Sequence, residues 1–261
     1  MTKDLKLCLI QTELSWQDAA KNRKNFEEQF KEIEDVDVII LPEMFSTAFT
    51  MESAKVAEKM DGITVSWMRD YSKSLNAAIA GSLIIEEDGE YFNRFIWAEP
   101  DGKVKTYDKR HLFRMADEEK HFKAGEETIL IEYRGWKIMP LVCYDLRFPV
   151  WSRRTAKKNY DLLIYVANWP RPRASAWRKL LYARAIENQA YVAGVNRVGK
   201  DLKDNEYIGN SAVIDTKGEL MVSSVDEEEQ NLNVTLSHSD LLAFREKFPV
   251  GLDGDSFEII N

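Results

Sequence analysis

Three consecutive stretches decide the fold class: "LKLCLIQ" (5–11), "DAAKNRKNFEEQFKEIE" (18–34) and "VDVIILP" (36–42). The first and third are short apolar runs of strand length, while the second sets Phe26, Phe30 and Ile33 at helical spacing among charged residues. Strand, amphipathic helix and strand in that order make a βαβ opening. The alternation returns in "TVSWMRDYSKSL" (64–75, helix) and "AAIAGSLII" (77–85, strand), and again in "YDLLIYVAN" (160–168, strand), "SAWRKLLYARAIENQ" (175–189, helix) and "AYVAGVNRV" (190–198, strand). Turn signals in "EEDGEY" (86–91), "EPDGKV" (99–104) and "DTKGEL" (215–220) predict hairpins, so antiparallel pairs are mixed with parallel ones. "NLNVTL" (231–236) reads as a strand and "SHSDLLAFREKF" (237–248) as a helix capped by Ser237. About ten strands allow two sheets face to face. The expectation is one α/β domain over residues 1–261, helices outside and mixed sheets inside, with a C-terminal extension from about residue 249.

Composition narrows the function. A net charge of −8 and a pI near 5.2 argue against nucleic acid or an anionic membrane as partner, since both require a cationic footprint. "RPRASAWRK" (171–179) is a local basic exception, either a solvated helix start or a contact for a small anionic substrate. No apolar run reaches the length of a membrane span, and "MTKDLKLCLI" (1–10) lacks the features of a signal peptide, so a cytoplasmic protein is expected. With only Cys8 and Cys143, a disulfide framework is excluded; Cys8, inside an apolar run, reads as core packing.

Ligand sites in α/β sheets gather beyond the carboxyl ends of strands. Glu43 follows "VDVIILP", Lys109 follows "VKTYD" (104–108) and Cys143 follows "WKIMPLV" (136–142), each a reactive side chain where an apolar run stops. Singly, each is an ordinary loop, surface or packing residue. Together they meet a chemical need, because a thiol with a pKa of about 8.5 requires a base or cation to become a good nucleophile at neutral pH. His111, His121 and His238 sit in no local signature of a cysteine protease. A carboxylate in an apolar pocket can serve instead, and Glu43 is flanked by Pro42, Met44 and Phe45. Phosphate loops, a G-x-S-x-G elbow and metal-ligand histidine spacing are missing from the sequence, so no metal or nucleotide cofactor is expected.

The segments "LPEMFSTAF" (41–49), "YDKRHLFRMADEEKHFKAG" (107–125) and "LVCYDLRFP" (141–149) resemble the three signature segments of the nitrilase, or carbon-nitrogen hydrolase, superfamily. The likeness continues through residues 165–199 and is strongest to the bacterial ω-amidase branch. It implies a four-layer α-β-β-α sandwich, paired as a homodimer through helices near 149–158 and 175–189. It further implies Glu43 as general base, Lys109 as cationic stabiliser, Cys143 as nucleophile, and a second glutamate at Glu118, with Glu119 adjacent. The Tyr144 N–H would join Lys109 in holding an oxyanion. The implied reaction is hydrolysis of the terminal amide of small ω-amido-2-oxo acids, 2-oxoglutaramate and 2-oxosuccinamate, through a cysteine thioester.

A substrate carboxylate needs a cation, for which Arg173 and Arg147 are candidates; Arg147 reads equally well as an ion-pair partner of Asp145 or another acid. Trp169, Phe45 and Phe113 are candidates for the pocket wall. Other readings are an N-carbamoyl amino acid or aliphatic amide hydrolase, a catalytically silent binding protein of the same fold, and a cysteine protease dependent on histidine.

Overall fold

In the computed structural model of the chain, which describes residues 3–259, the βαβ opening is β1 (Leu5–Gln11), α1 (Ala19–Phe30) and β2 (Val38–Ile40). After the short α2 (Ser53–Val56), α3 (Ile63–Leu75) leads into β3 (Ala78–Glu87), and hairpins add β4 (Glu90–Ala98) and β5 (Val104–Asp108). The second half begins with β6 (Ile131–Tyr133), β7 (Trp136–Val142) and α4 (Pro149–Ser152), followed by β8 (Leu162–Ala167), α5 (Ala174–Asn188) and β9 (Tyr191–Asn196). A hairpin of β10 (Val198–Lys200) and β11 (Glu206–Ile208) precedes β12 (Ala212–Ile214), β13 (Leu220–Ser223), β14 (Gln230–Leu236) and α6 (His238–Lys247). The predicted first helix is shorter at its C-terminal end, closing at Phe30. The predicted cap is used, Ser237 accepting from the Asp240 N–H at 3.3 Å, and Asp18 caps the first helix by accepting from the Lys21 N–H at 3.0 Å.

Two six-stranded sheets form, in the orders β14-β1-β2-β3-β4-β5 and β13-β12-β9-β8-β7-β6. Strands β1, β2 and β3 are parallel, as are β7, β8 and β9, and the predicted hairpins supply the antiparallel flanks. β14 returns across the molecule to pair with β1, so the last strand joins the first sheet.

Side-chain alternation sorts the residues of the first sheet into two layers. Leu5, Leu7, Leu9, Val38, Ile40, Phe95 and Trp97 face inward and pack in one cluster with Ile138, Leu162 and Ile164 of the second sheet. Their neighbours Cys8, Ile10, Ile39, Ile79 and Ile96 face outward and pack with Phe26, Phe30, Trp67 and Met68 of α1 and α3. On the far side of the second sheet α5 lies so close to β9 that a Cβ on Gly194 would meet Leu181 at 2.7 Å. The layers therefore run helix, sheet, sheet, helix. No helix among the described residues is long and apolar enough to cross a membrane. Beyond Lys247 the described residues form only a 3-10 turn, Val250–Leu252.

Parallel strands deliver their carboxyl ends to one edge. β2 and β5 end there in the first sheet, β7 and β8 in the second, so residues 43, 109, 143 and 168 meet. Gly125 braces this edge: its N–H donates to the Lys109 carbonyl at 2.9 Å, and a Cβ would sit 2.1 Å from the Asp108 carbonyl oxygen. Gly125→Ala should therefore cost about 1–3 kcal/mol of stability, an overpacking penalty, read as a lowered urea midpoint with unchanged slope.

Candidate active site

Lys109 leaves the end of β5 and buries its ammonium completely between two carboxylates. Its Nζ donates to Glu43 Oε1 at 2.9 Å and lies 2.9 Å from both oxygens of Glu118. Burial works against this cation, but Glu118 and Glu43 outweigh it and hold the ammonium above the ordinary lysine range. Glu118 sits in a 3-10 turn, Glu118–Lys120, where its Oε2 also accepts the Phe113 N–H at 2.6 Å. Burial raises the Glu118 pKa, with Lys109 opposing and Glu43 adding to the rise. The neighbouring Glu119 instead faces Arg114 at 3.6 Å, so it is Glu118 that meets the lysine.

The surroundings of Glu43 differ from the apolar pocket expected of Pro42, Met44 and Phe45. Its carboxylate is caged by donors: Lys109 and Asn93 Nδ2 (2.8 Å) on Oε1, and the Asn168 N–H (2.8 Å) on Oε2. Asn93, on β4, also approaches Glu118 at 3.3 Å, while its Oδ1 accepts from the Ser82 hydroxyl on β3 at 2.8 Å. Ser82 in turn accepts the Met44 N–H at 2.9 Å, tying the loop that carries Glu43 to the sheet.

Cys143 follows β7 directly and opens a 3-10 turn, Cys143–Arg147, with φ of +47°. A positive φ at a residue with a side chain is held by its surroundings, and here the clamp is Asp145. Fully buried, Asp145 accepts from the Val142 N–H (3.0 Å), the Tyr107 hydroxyl (2.7 Å) and the His111 N–H (3.0 Å), with His111 Nδ1 at 2.8 Å. The elbow of the second sheet is thus bolted to the end of β5 in the first. The thiol sits beside Glu43, and burial together with that negative charge pushes its pKa well above the ordinary value, with Lys109 opposing. At neutral pH the resting group is a thiol. Cys8, buried between β1 and the outer helices, is pushed up to about 12 by burial and plays the packing part expected of it.

Cys143 and Lys109 open onto a cavity of about 280 Å³ walled by Trp16, Phe49, Phe113, Tyr144, Trp169 and Tyr207. Phe113 and Trp169 are where the sequence reading puts them. Phe45 is not: it packs edge-on against Phe26 in the outer core, because the backbone turns through positive φ at Met44 and Ala48 and presents Phe49 instead. Phe49 lies 5.4 Å from the Lys109 ammonium. Arg147 also departs from one of its two readings, since no ion pair joins it to Asp145. Its guanidinium lies over Trp169 at 4.9 Å, and that of Arg173 over Phe113 at 5.0 Å, both at the cavity and without a carboxylate partner among the described residues. No histidine lines the cavity, which leaves a histidine-activated thiol without its base. Among the described residues no cluster of His, Cys, Asp and Glu is arranged for a metal ion; Lys109 fills the space between the carboxylates.

The carbon-nitrogen hydrolase profile matches residues 6–246. The chain belongs to the carbon-nitrogen hydrolase family. Among this hydrolase's relatives is omega-amidase YafV of Escherichia coli K12, 49% identical over 255 residues and covering 98% of each chain. The 2-oxoglutaramate amidase of Bacillus subtilis is 34% identical, over 92% of this chain and 94% of that one. A CN-hydrolase superfamily protein of Xanthomonas campestris, solved with an arsenic adduct in its active site, superposes with a TM-score of 0.96 at 45% identity, covering 98% and 99% of the two chains. The four-layer fold expected of the sequence is thereby borne out.

Asn93, Ser82 and Asn168 escaped the sequence reading. Asn168 had a signal, as the first polar residue after an apolar run, by the same rule that selects Glu43, Lys109 and Cys143. The electrostatics give a direct check. Glu43→Gln removes the negative charge nearest the thiol, so Cys143 should ionise at lower pH. Iodoacetamide labelling of Cys143 across a pH series, mapped by mass, should show its midpoint moving down; an unmoved midpoint would contradict the placement of Glu43.

Proposed function

We propose that this carbon-nitrogen hydrolase is an ω-amidase, releasing ammonia from the terminal amide of small ω-amido-2-oxo acids such as 2-oxoglutaramate and 2-oxosuccinamate. The observation that carries the reading is one aromatic cavity, lined by Cys143 and the carboxylate-paired Lys109, that also holds two arginines without a carboxylate partner among the described residues. An α-oxo carboxylate supplies the missing anion, and planar guanidiniums match it with paired N–H donors. The names of the relatives at 49% and 34% identity support the same class.

In this reading the Cys143 thiol attacks the amide carbon as Glu43 takes its proton, a concerted step suited to a thiol that is neutral at rest. The oxyanion forms beside the Lys109 ammonium and the Tyr144 N–H, which belongs to the first turn after the nucleophile and so has no intrahelical acceptor. Protonated Glu43 passes its proton to the departing nitrogen, ammonia leaves, and the acyl group stays on sulfur. Water then loses a proton to Glu43, attacks the thioester and releases the dicarboxylate. Glu118 touches none of the reacting atoms; with both oxygens on Nζ it keeps the ammonium charged and aimed. Two further conditions belong to the proposal: a cytoplasmic setting that keeps thiols reduced, and a homodimer built on the faces of α4 and α5, where Val150 and Ile186 are exposed.

Ammonia release should be fastest from 2-oxoglutaramate or 2-oxosuccinamate in a panel that also holds glutamine, a simple aliphatic amide and an N-carbamoyl amino acid. Strong preference for the last would move the protein to carbamoyl hydrolysis, and no acyl adduct on any substrate would leave only a binding protein. Lys109→Met should lower kcat by about 10²–10³-fold with a smaller change in KM, because the ammonium answers charge that develops in the transition state. Arg173→Gln should raise KM for the oxo acid more than for the aliphatic amide, as measured by steady-state kinetics.

A further inference from the structure

The end of β8 holds a polar atom that the mechanism above does not use. Asn168 is 5% exposed and lines the cavity with Cys143 and Lys109. Its backbone N–H donates to Glu43 Oε2, and its Nδ2 donates to the Glu43 carbonyl oxygen at 2.6 Å. A carbonyl oxygen can only accept, so this bond fixes the orientation of the side-chain amide and leaves Oδ1 as the remaining end. Among the described residues that oxygen has no hydrogen-bond partner, although it is buried. Buried acceptors are ordinarily satisfied, and one left open beside a catalytic cluster calls for a donor from outside the chain.

The neighbouring groups narrow what that donor is. Asn168 is bound twice to Glu43, the residue that must protonate the leaving group, so its side-chain amide is held in fixed relation to that residue. On the amidase reading, on which this inference rests, the part of the substrate facing Glu43 is the scissile nitrogen. We infer that Asn168 Oδ1 accepts an N–H of the scissile carboxamide and orients the departing nitrogen for protonation by Glu43. In the tetrahedral intermediate that nitrogen carries two hydrogens and a lone pair. With one N–H held by Oδ1, rotation about the C–N bond is restricted and the lone pair faces the Glu43 carboxyl. The Glu43 proton moves to the lone pair, the C–N bonding electrons go to nitrogen, the oxyanion re-forms C=O, and ammonia departs from the thioester. An ester presents an oxygen without hydrogens at the same place, so Asn168 discriminates amides from esters.

The test separates this role from a structural one. Asn168→Ala keeps the backbone N–H on Glu43 and removes Oδ1 together with the Nδ2 bond to the Glu43 carbonyl, a loss that falls on amide and ester alike. Acyl-enzyme generated from the monomethyl ester of glutarate, which has no keto group to condense with hydroxylamine, is partitioned between water and hydroxylamine, and the ratio of hydroxamate to acid is measured. Attack by hydroxylamine retraces amine departure in reverse, so it needs the same acceptor. The variant should shift the ratio towards acid by about 10–100-fold, the scale of one to two factors of ten for a lost buried hydrogen bond, and lose kcat/KM on the amide by more than on the ester. The ratio belongs to active molecules alone, so partial misfolding does not alter it, and Asn168→Ser gives a second reading if the alanine variant fails to fold. An unchanged ratio, or equal losses on amide and ester, overturns the inference. A shift towards hydroxamate also overturns it, since Oδ1 would then be holding the hydrolytic water. A wild-type protein that forms no acyl-enzyme from amide or ester fails the amidase reading itself, and the inference with it.

Discussion

One buried ammonium organises this site. Lys109 sits between Glu43 and Glu118 out of reach of solvent, and the two acids hold its ammonium charged against the cost of burial. Removing the lysine would leave two carboxylates in a dry interior; removing either acid would leave a cation with half its compensation. Burial first, and the negative charge of Glu43 second, keep the adjacent thiol protonated against the pull of Lys109. An imidazole partner would favour a standing thiolate. A carboxylate partner favours proton transfer timed with attack, so the electrostatics of the resting site and the order of the chemical steps are the same fact.

The geometry that allows this is topological. Parallel β1, β2 and β3 in one sheet and β7, β8 and β9 in the other carry their carboxyl ends to a common edge, and antiparallel β4 turns the chain so that β5 points the same way. Asp145 then locks the two sheets at the site, accepting from Val142 on one side and from Tyr107 and His111 on the other. His111, stacked on Phe148 with ring centroids 3.7 Å apart, serves this brace and is not a base for the thiol.

Much of this was legible in the chain. Apolar runs and helical patterns carried the layers, because burial on both faces of a parallel strand writes itself as an apolar run, and the polar residue that ends each run marked the site. What stayed hidden had physical reasons. Phe45 and Phe49 share a loop with no periodicity, and positive φ at Met44 and Ala48 decides which ring reaches the cavity. Asn93 and Ser82 lie in mid-strand, where a buried polar group is meaningful only once its partners from other strands are known. Arg147 had two fair readings, and its position over Trp169 follows from the tight turn after Cys143.

The split origin of the site has a bearing on the life of the chain before it is finished. Glu43, Lys109 and Glu118 follow strands of the first sheet, and Cys143 follows one of the second; the first sheet is itself incomplete until β14, almost at the end of the sequence, has paired with β1. A nascent or half-denatured molecule therefore holds an ordinary cysteine and scattered surface acids, with none of the assembled reactivity. Competence arrives with the closure of the fold, so acyl-transfer chemistry is withheld from every intermediate that still exposes its interior.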